Sequence, residues 1–285
     1  MNTNEKPEDF TRLLDLLKDI KRDFFEDDAA GAMKLYEDSF RAASWAYLPD
    51  FQVATPGAIN RRGEILLGPL FSSLQNPWPI DEIGPQIPLA QIDLANASRL
   101  SGVNLGTEFL QLFCSMGDAL GRRVETRLVE RDCVENEELV SPPSFPKEFR
   151  GFASVGWAQY EEAPDRLLYG NSCLQISGYS QKQFSVWLPS NIAENYDLSN
   201  CSDELRSKIT EFDAIQDLNR DRWSPGGFHL FGSFYPIQYY PGDRDAVLFT
   251  FESEHGFNVG DGQGQIFYKL DKEYGTFFNF DWACY

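Results

Sequence analysis

The stretch VGDGQGQIFYKLD, from Val259 to Asp271, sets three glycines among polar residues ahead of an apolar run. Such a pattern could cradle a phosphate, hold a metal ion or turn the chain. A dinucleotide fingerprint needs GxGxxG after a strand and opening a helix. Gly260 and Gly262 fit, but the sixth position is Gln265 and QIFYKL reads as a strand, so no helix N-terminus is there to receive a phosphate. The GK[ST] of a P-loop is missing, and so are the tandem repeats of a calcium β-roll and the acidic twelfth residue of an EF-hand. What remains is a turn or bulge leading into a strand, where glycine supplies positive φ at little steric cost.

Other reactive residues are few. His229 and His255 are the two histidines. His229 sits in HLFG, a strand-like run, and reads as a structural histidine. Ser253, Glu254 and His255 are consecutive, but adjacency does not make a triad. Cys284 with His255 is a conceivable thiol–imidazole pair, without a nucleophile elbow or oxyanion loop to support it. The five cysteines are widely spaced and form no CxxC pair, so reduced thiols are expected and no zinc spacing is visible. No catalytic residue, cofactor or metal is assigned. Paired carboxylates abound in a chain this acidic and carry little information.

The net charge is −19, from 44 acidic and 25 basic residues among 285, and the acidity runs through the whole chain rather than gathering in a tail. Such a surface repels nucleic acid and anionic lipid and attracts basic partners; equally, it keeps a protein dissolved. The arginine pairs at 61–62 and 122–123 are isolated, which argues against nucleic-acid binding. No apolar run is long enough to span a bilayer, and the first 25 residues lack an apolar signal core, so a cytoplasmic location is expected.

The elements that would position these residues follow from periodicity. Residues 8–25 place Phe10, Leu13, Leu14, Leu17, Ile20 and Phe24 on one helical face, and residues 28–45 do the same with Ala29, Ala32, Met33, Tyr36, Phe40 and Ala43. The short link near Asp27 and Asp28 predicts a helical hairpin. After Pro49 glycine, proline and aromatics become frequent. Strands are expected at 64–68, 87–94, 108–114 and 122–130, a proline-rich connection at 138–149, a helix at 203–219 with Leu205, Ile209, Phe212 and Ile215 on one face, and further strands in GGFHLFGSFY, DAVLFTFES, GQIFYKL and TFFNFDW. The order LLG (66–68), IPLAQIDL, LGTEFLQLF is echoed by LFG (230–232), AVLFTFES, GQGQIFYKL. The expectation is an α+β protein: an N-terminal helical hairpin, residues 1–48, packed on a β-rich body of two related antiparallel sheet units, residues 49–285, with halves near 49–140 and 150–285.

Two stretches carry a resemblance. LLGPLFSSLQNPWPIDEIGPQIPLAQIDL (66–94) joins a glycine-bearing strand to Trp78-Pro79 and then to PLAQIDL. HLFGSFYPIQ (229–238) is followed by LFTFES (248–253) and VGDGQGQIFYKL. Together they resemble the YwqG-like family of bacterial proteins over roughly 66–115 and 227–285. The family's Gly-Gly-x-Pro ahead of the WP is LLGPLF in this chain. The resemblance implies an α+β fold without an assigned activity, and some members lie beside polymorphic toxins and look like immunity proteins.

The expected function is therefore an immunity protein. It would neutralise a co-encoded antibacterial toxin, delivered by a type VI or contact-dependent system and acting as a nuclease in the cytoplasm, by occluding its active site. Acidic and aromatic loop residues are the expected contacts: Asp81, Glu82, Tyr239, Tyr240, Glu252, Glu254 and Asp261. The partner would be a basic toxin, with neither nucleic acid nor membrane bound and the oligomeric state open. The alternative is a small-molecule-binding protein or hydrolase using a cleft between the two β units, lined by His229 or His255.

Overall fold

The chain is described by a computed structural model over residues 5–23, 27–54, 57–66, 68–82, 84–115, 124–143, 173–233, 246–252, 262–271, 273 and 275–284. In chain order the described elements are α1 (Glu8–Asp23), α2 (Asp27–Arg41), β1 (Ser44–Ala54), β2 (Ile65–Leu66), β3 (Ile87–Asp93), α3 (Leu94–Ser101), β4 (Phe109–Cys114), β5 (Val124–Val129) and α4 (Arg131–Asn136). They continue with β6 (Cys173–Ser185), α5 (Ile192–Asn195), α6 (Asp203–Asn219), β7 (His229–Phe231), β8 (Val247–Phe251), β9 (Gly262–Asp271) and β10 (Gly275–Cys284). The protein is α+β with a large antiparallel sheet.

Contacts divide the chain into two units. The first comprises Met1–Tyr47, Lys182–Gly226 and Gly232–Tyr235. Its core is assembled by the apolar face of α1: Phe10, Leu13, Leu16, Leu17 and Ile20 are buried, with Leu14 only half so. Leu16 completes a face wider than the periodicity indicated. The Phe10 ring meets Phe40, Phe184 and Trp223 edge-on, at centroid distances of 5.5, 4.9 and 5.9 Å. Acids open α1 and bases close it, in keeping with its dipole. The helix α6 has the expected span; the Ser202 hydroxyl accepts from the Leu205 N–H at its N-terminus, and Leu205, Ile209 and Phe212 are buried. The second helix stops at Arg41 instead of reaching residue 45. From Ser44 the aromatic and β-branched run SWAYLPDFQVA takes over, and β1 continues straight through Pro49.

The second unit comprises Leu48–Gln181, Gly227–Phe231 and Pro236–Tyr285. Its strands lie in the order β10-β9-β8-β7-β1-β6-β2-β3-β4-β5. The ends of this order, β10 and β5, come into contact, so the sheet curls towards a barrel. Two antiparallel meanders flank the central pair of long strands. In one, Ile65, Gln91 and Gln111 stand opposite one another across β2, β3 and β4. In the other, His229, Thr250 and Gln265 do so across β7, β8 and β9. Each middle strand carries its bulge at the same offset, between Pro88 and Ala90 in β3 and between Val247 and Phe249 in β8.

Two sequence readings change here. Among the described residues of GGFHLFGSFY the strand covers His229–Phe231, and Phe231 (φ 59°) and Gly232 (φ 98°) adopt left-handed backbone where it ends. In GDGQGQ, Gly262 and Gly264 belong to β9 itself, paired with Cys284 and Trp282, and Gly264 does not have positive φ. Gly264 is a packing glycine instead: a Cβ there would lie 2.9 Å from Phe280 Cζ. Gly260 and Asp261 lie outside the described residues.

Candidate functional site

Among the described residues, buried polar clusters and one braced surface loop, all in the second unit, are candidates for a functional role. The first cluster centres on Glu64, which leads into β2 and is 9% exposed. One of its carboxylate oxygens accepts from the Asp93 N–H at 3.2 Å and the Tyr179 hydroxyl at 3.1 Å; the other accepts from Asn96 Nδ2 at 2.9 Å. Burial outweighs these three donors and pushes the carboxyl up to about 7. Asp93 caps α3 by accepting from the Ala95 and Asn96 N–H groups, and it pairs with Arg131. Asp93 before the helix and Gly102 after it, in the left-handed region (φ 77°), are a start and a stop signal that periodicity alone had missed. Every polar atom of the Glu64 carboxylate is taken up by the fold, so the cluster is a proton-sensitive brace between β2, β3 and β6 rather than an open catalytic centre.

A ladder of amides runs beside it. Gln91 Oε1 accepts from the Phe71 N–H at 3.0 Å and Gln111 Nε2 at 2.6 Å, while Gln91 Nε2 donates to the carbonyls of Arg61 and Gly63. Gln111 Oε1 accepts from Arg127 Nε at 2.6 Å. The Arg127 guanidinium lies over the Phe113 ring and donates to the Pro77 carbonyl at 2.6 Å.

That bond belongs to the loop from Ser72 to Gln86, which contains Trp78-Pro79. Its described residues are braced at several points. The Ser73 N–H donates to the Asn76 carbonyl, and the Ser73 hydroxyl and Asn76 amide both reach the Glu137 carboxylate. Trp78 Nε1 donates to the Gln86 carbonyl at 2.8 Å, and the Gln86 N–H returns to the Pro79 carbonyl at 2.9 Å. Asp81 closes a turn by accepting from the Gly84 N–H, and its other oxygen accepts from the Ser115 hydroxyl at 2.5 Å. Out of this frame stand Leu74 and Ile80, 84% and 68% exposed.

The arginine pair noted in the sequence explains what lies beside the loop. Arg62 donates to the carbonyls of Val134 and Glu137 at the end of α4, and Arg61 donates to the Val140, Leu70 and Ser72 oxygens. These bonds pin the segment 130–140, ERDCVENEELV, against the loop. Glu130, Asp132, Glu135 and Glu138 are exposed on it, while Glu137 is held below the usual carboxylate range by the Ser73 hydroxyl.

Of the expected contact residues, Glu82 is exposed on this loop. Asp81 is half-buried and serves the turn. Glu252 is half-buried in the other meander, accepting from the Gly227 N–H at 2.7 Å and from Gln263 Nε2 at 2.5 Å. Tyr239, Tyr240, Glu254 and Asp261 lie outside the described residues, as does His255. His229 is 3% exposed; its Nδ1–H donates to the Gly227 carbonyl at 3.0 Å, and burial pulls it down to about 4, which leaves it neutral near pH 7. Among the described residues no cluster of three metal-ligating side chains is present, and no helix is long and apolar enough to cross a membrane. A furrow along α6 is walled by Asp203, Arg206, Thr210 and Glu211 from a single helix, which makes it a surface groove of the first unit.

No family model matches the chain, and no curated protein matches it.

Proposed function

We propose that this chain is an immunity protein that binds a co-encoded basic toxin in the cytoplasm and blocks its active site stoichiometrically. The observation that carries the reading is the charge: −19 distributed over the chain, with exposed acids such as Glu82, Glu125, Asp132, Glu135 and Glu138 fixed on a hydrogen-bonded frame. A nuclease presents a basic groove for phosphates, and an acidic surface speeds encounter with that groove and competes for it. The resemblance of 66–94 and 229–270 to the YwqG-like family, some of whose members look like immunity proteins, points the same way. Delivery of such a toxin by a type VI or contact-dependent system follows from that resemblance.

The finer architecture belongs to the same proposal. We read α1 and α2 as an N-terminal hairpin and the sheet as two related units, β2 to β5 and β7 to β10, each completed by one long strand. What supports the relation is the matched register of Ile65–Gln91–Gln111 and His229–Thr250–Gln265, the bulge at equal offset, and an acid two residues beyond each central polar residue, Asp93 and Glu252.

The test is co-expression with the protein encoded beside this chain's gene. Growth should be restored, and a one-to-one complex whose association slows as salt is raised should be recovered. A neighbour that is harmless, or that kills equally with and without this chain, overturns the reading.

A further inference from the structure

We propose that the loop Ser72–Asp81, with the acidic segment Glu130–Val140 on which it rests, is the docking surface, and that Leu74 and Ile80 are its apolar anchors. This assignment rests on the immunity reading and names where on the chain the basic partner sits.

Three observations meet at this surface. The first is exposure. Leu74 is the most exposed large apolar side chain among the described residues, and Ile80, Leu139 and Val140 stand on the same loop and segment. The Val140 N–H donates to the Ser72 carbonyl at 3.0 Å, which brings the two stretches of chain side by side. Scattered exposed aliphatics need no explanation, but several held together on one frame mark a contact site.

The second is rigidity. Leu74 lies inside the Ser73–Asn76 turn that Glu137 clamps, and Ile80 lies between the Pro79–Gln86 and Asp81–Gly84 backbone bonds and pairs with Pro85. Arg127 holds the Pro77 carbonyl between them. An exposed loop that served only to connect strands would not require side chains from β5, α4 and the end of β4 to fix it. A pre-ordered loop loses little conformational entropy when a partner covers it, and anchors of this kind dominate binding energy.

The third is charge, which decides the occupant. Glu82 on the loop, Glu125 on β5, and Asp132, Glu135 and Glu138 on the segment beside the loop are exposed, whereas Arg61, Arg62 and Arg127 donate to backbone carbonyls. A second copy would bring the same acids face to face and be repelled, and a nucleic acid or anionic membrane would be repelled equally. A basic protein with an apolar socket for Leu74 and Ile80 fits.

The experiment measures binding of the toxin encoded beside this chain to four full-length forms: wild type, Leu74→Asp with Ile80→Asp, Glu135→Lys with Glu138→Lys, and Leu218→Asp, an exposed position on α6 of the first unit. Thermal melting of each establishes that the fold is intact. The anchor pair should weaken binding by about a hundredfold through faster dissociation, the charge pair should slow association about tenfold at low salt, and Leu218→Asp should change nothing. Equal binding by wild type and the anchor variant overturns the docking surface while leaving the immunity reading intact. Failure of the wild-type chain to bind overturns both. Self-association of the wild type that the anchor variant abolishes would give the surface to a second copy and also overturns the proposal.

Discussion

Gly264 in β9 lies beneath the ring of Phe280 in β10, so close that a single added methyl would stand 2.9 Å from Cζ and 3.0 Å from Cε2. Phe251 of β8 meets that ring edge-on at a centroid distance of 6.3 Å and presents its Cβ to the same glycine at 3.7 Å, so the space around Gly264 is shared by two rings. The third glycine of GDGQGQ therefore marks a close approach of two strands, not a ligand loop.

Gly264→Ala should destabilise the protein by about 1–3 kcal/mol through overpacking. Gly57→Ala, where nothing among the described residues lies within 4 Å, should fall within about 0.5 kcal/mol of wild type. Denaturant melts of both variants check the contrast, and Phe280→Leu in the Gly264→Ala background should recover part of the loss. Equal stability of the two alanine variants would show that Gly264 has room after all.

Glu64 and His229 pull stability in opposite directions with pH. The Glu64 carboxyl is raised to about 7, so the folded state holds a proton that the unfolded chain has released, and its contribution falls as pH rises from about 4.5 to 7. His229 is lowered to about 4, so its contribution falls as pH drops from about 6.5 to 4. Over their shared window the two slopes offset. Glu64→Gln should gain stability relative to wild type as pH rises through that window, and by about 3 kcal/mol above pH 7. His229→Gln should gain relative to wild type as pH falls. Differences in melting temperature between variant and wild type, taken from pH 4 to 8, read both signs directly.

Gln91 makes four hydrogen bonds at no solvent exposure, two as acceptor and two as donor. Gln91→Met keeps the volume and strands the Phe71 N–H and the Arg61 and Gly63 carbonyls. The loss should be about 3–5 kcal/mol, well above the roughly 1 kcal/mol expected of one exposed hydrogen bond. Amide exchange at Phe71, slow in the wild type, should accelerate in the variant; unchanged exchange would remove Gln91 as the hub.

Much of this fold was legible because it is local. The helix α6 and the strands β3, β4 and β9 announce themselves by period and by branched residues. What stayed hidden depends on contacts made far along the sequence. Nothing within SWAYLPDFQVA says that it will lie between β7 and β6, and nothing near Arg61 and Arg62 says that they will bind the carbonyls that end α4. The candidate surface was half legible. Trp78-Pro79 and Glu82 drew attention as a loop with an acid, but the exposure of Leu74 and Ile80 could not be read, since an aliphatic residue in a sequence normally promises burial.

The exchanged positions of the two long strands bear on how the chain must be made. The edge of β2 is covered by β6, with Ile65 opposite Gln175, while β1 waits for β7. At ordinary ribosomal speed, on the order of ten seconds separates the emergence of β2 from that of its neighbour. Through that interval the nascent chain carries β1 and the first meander with open edges, apolar and ready to pair with any strand at hand. Neither meander gains its long neighbouring strand from its own half of the message, so closure of the sheet waits until β6 and β7 have been made.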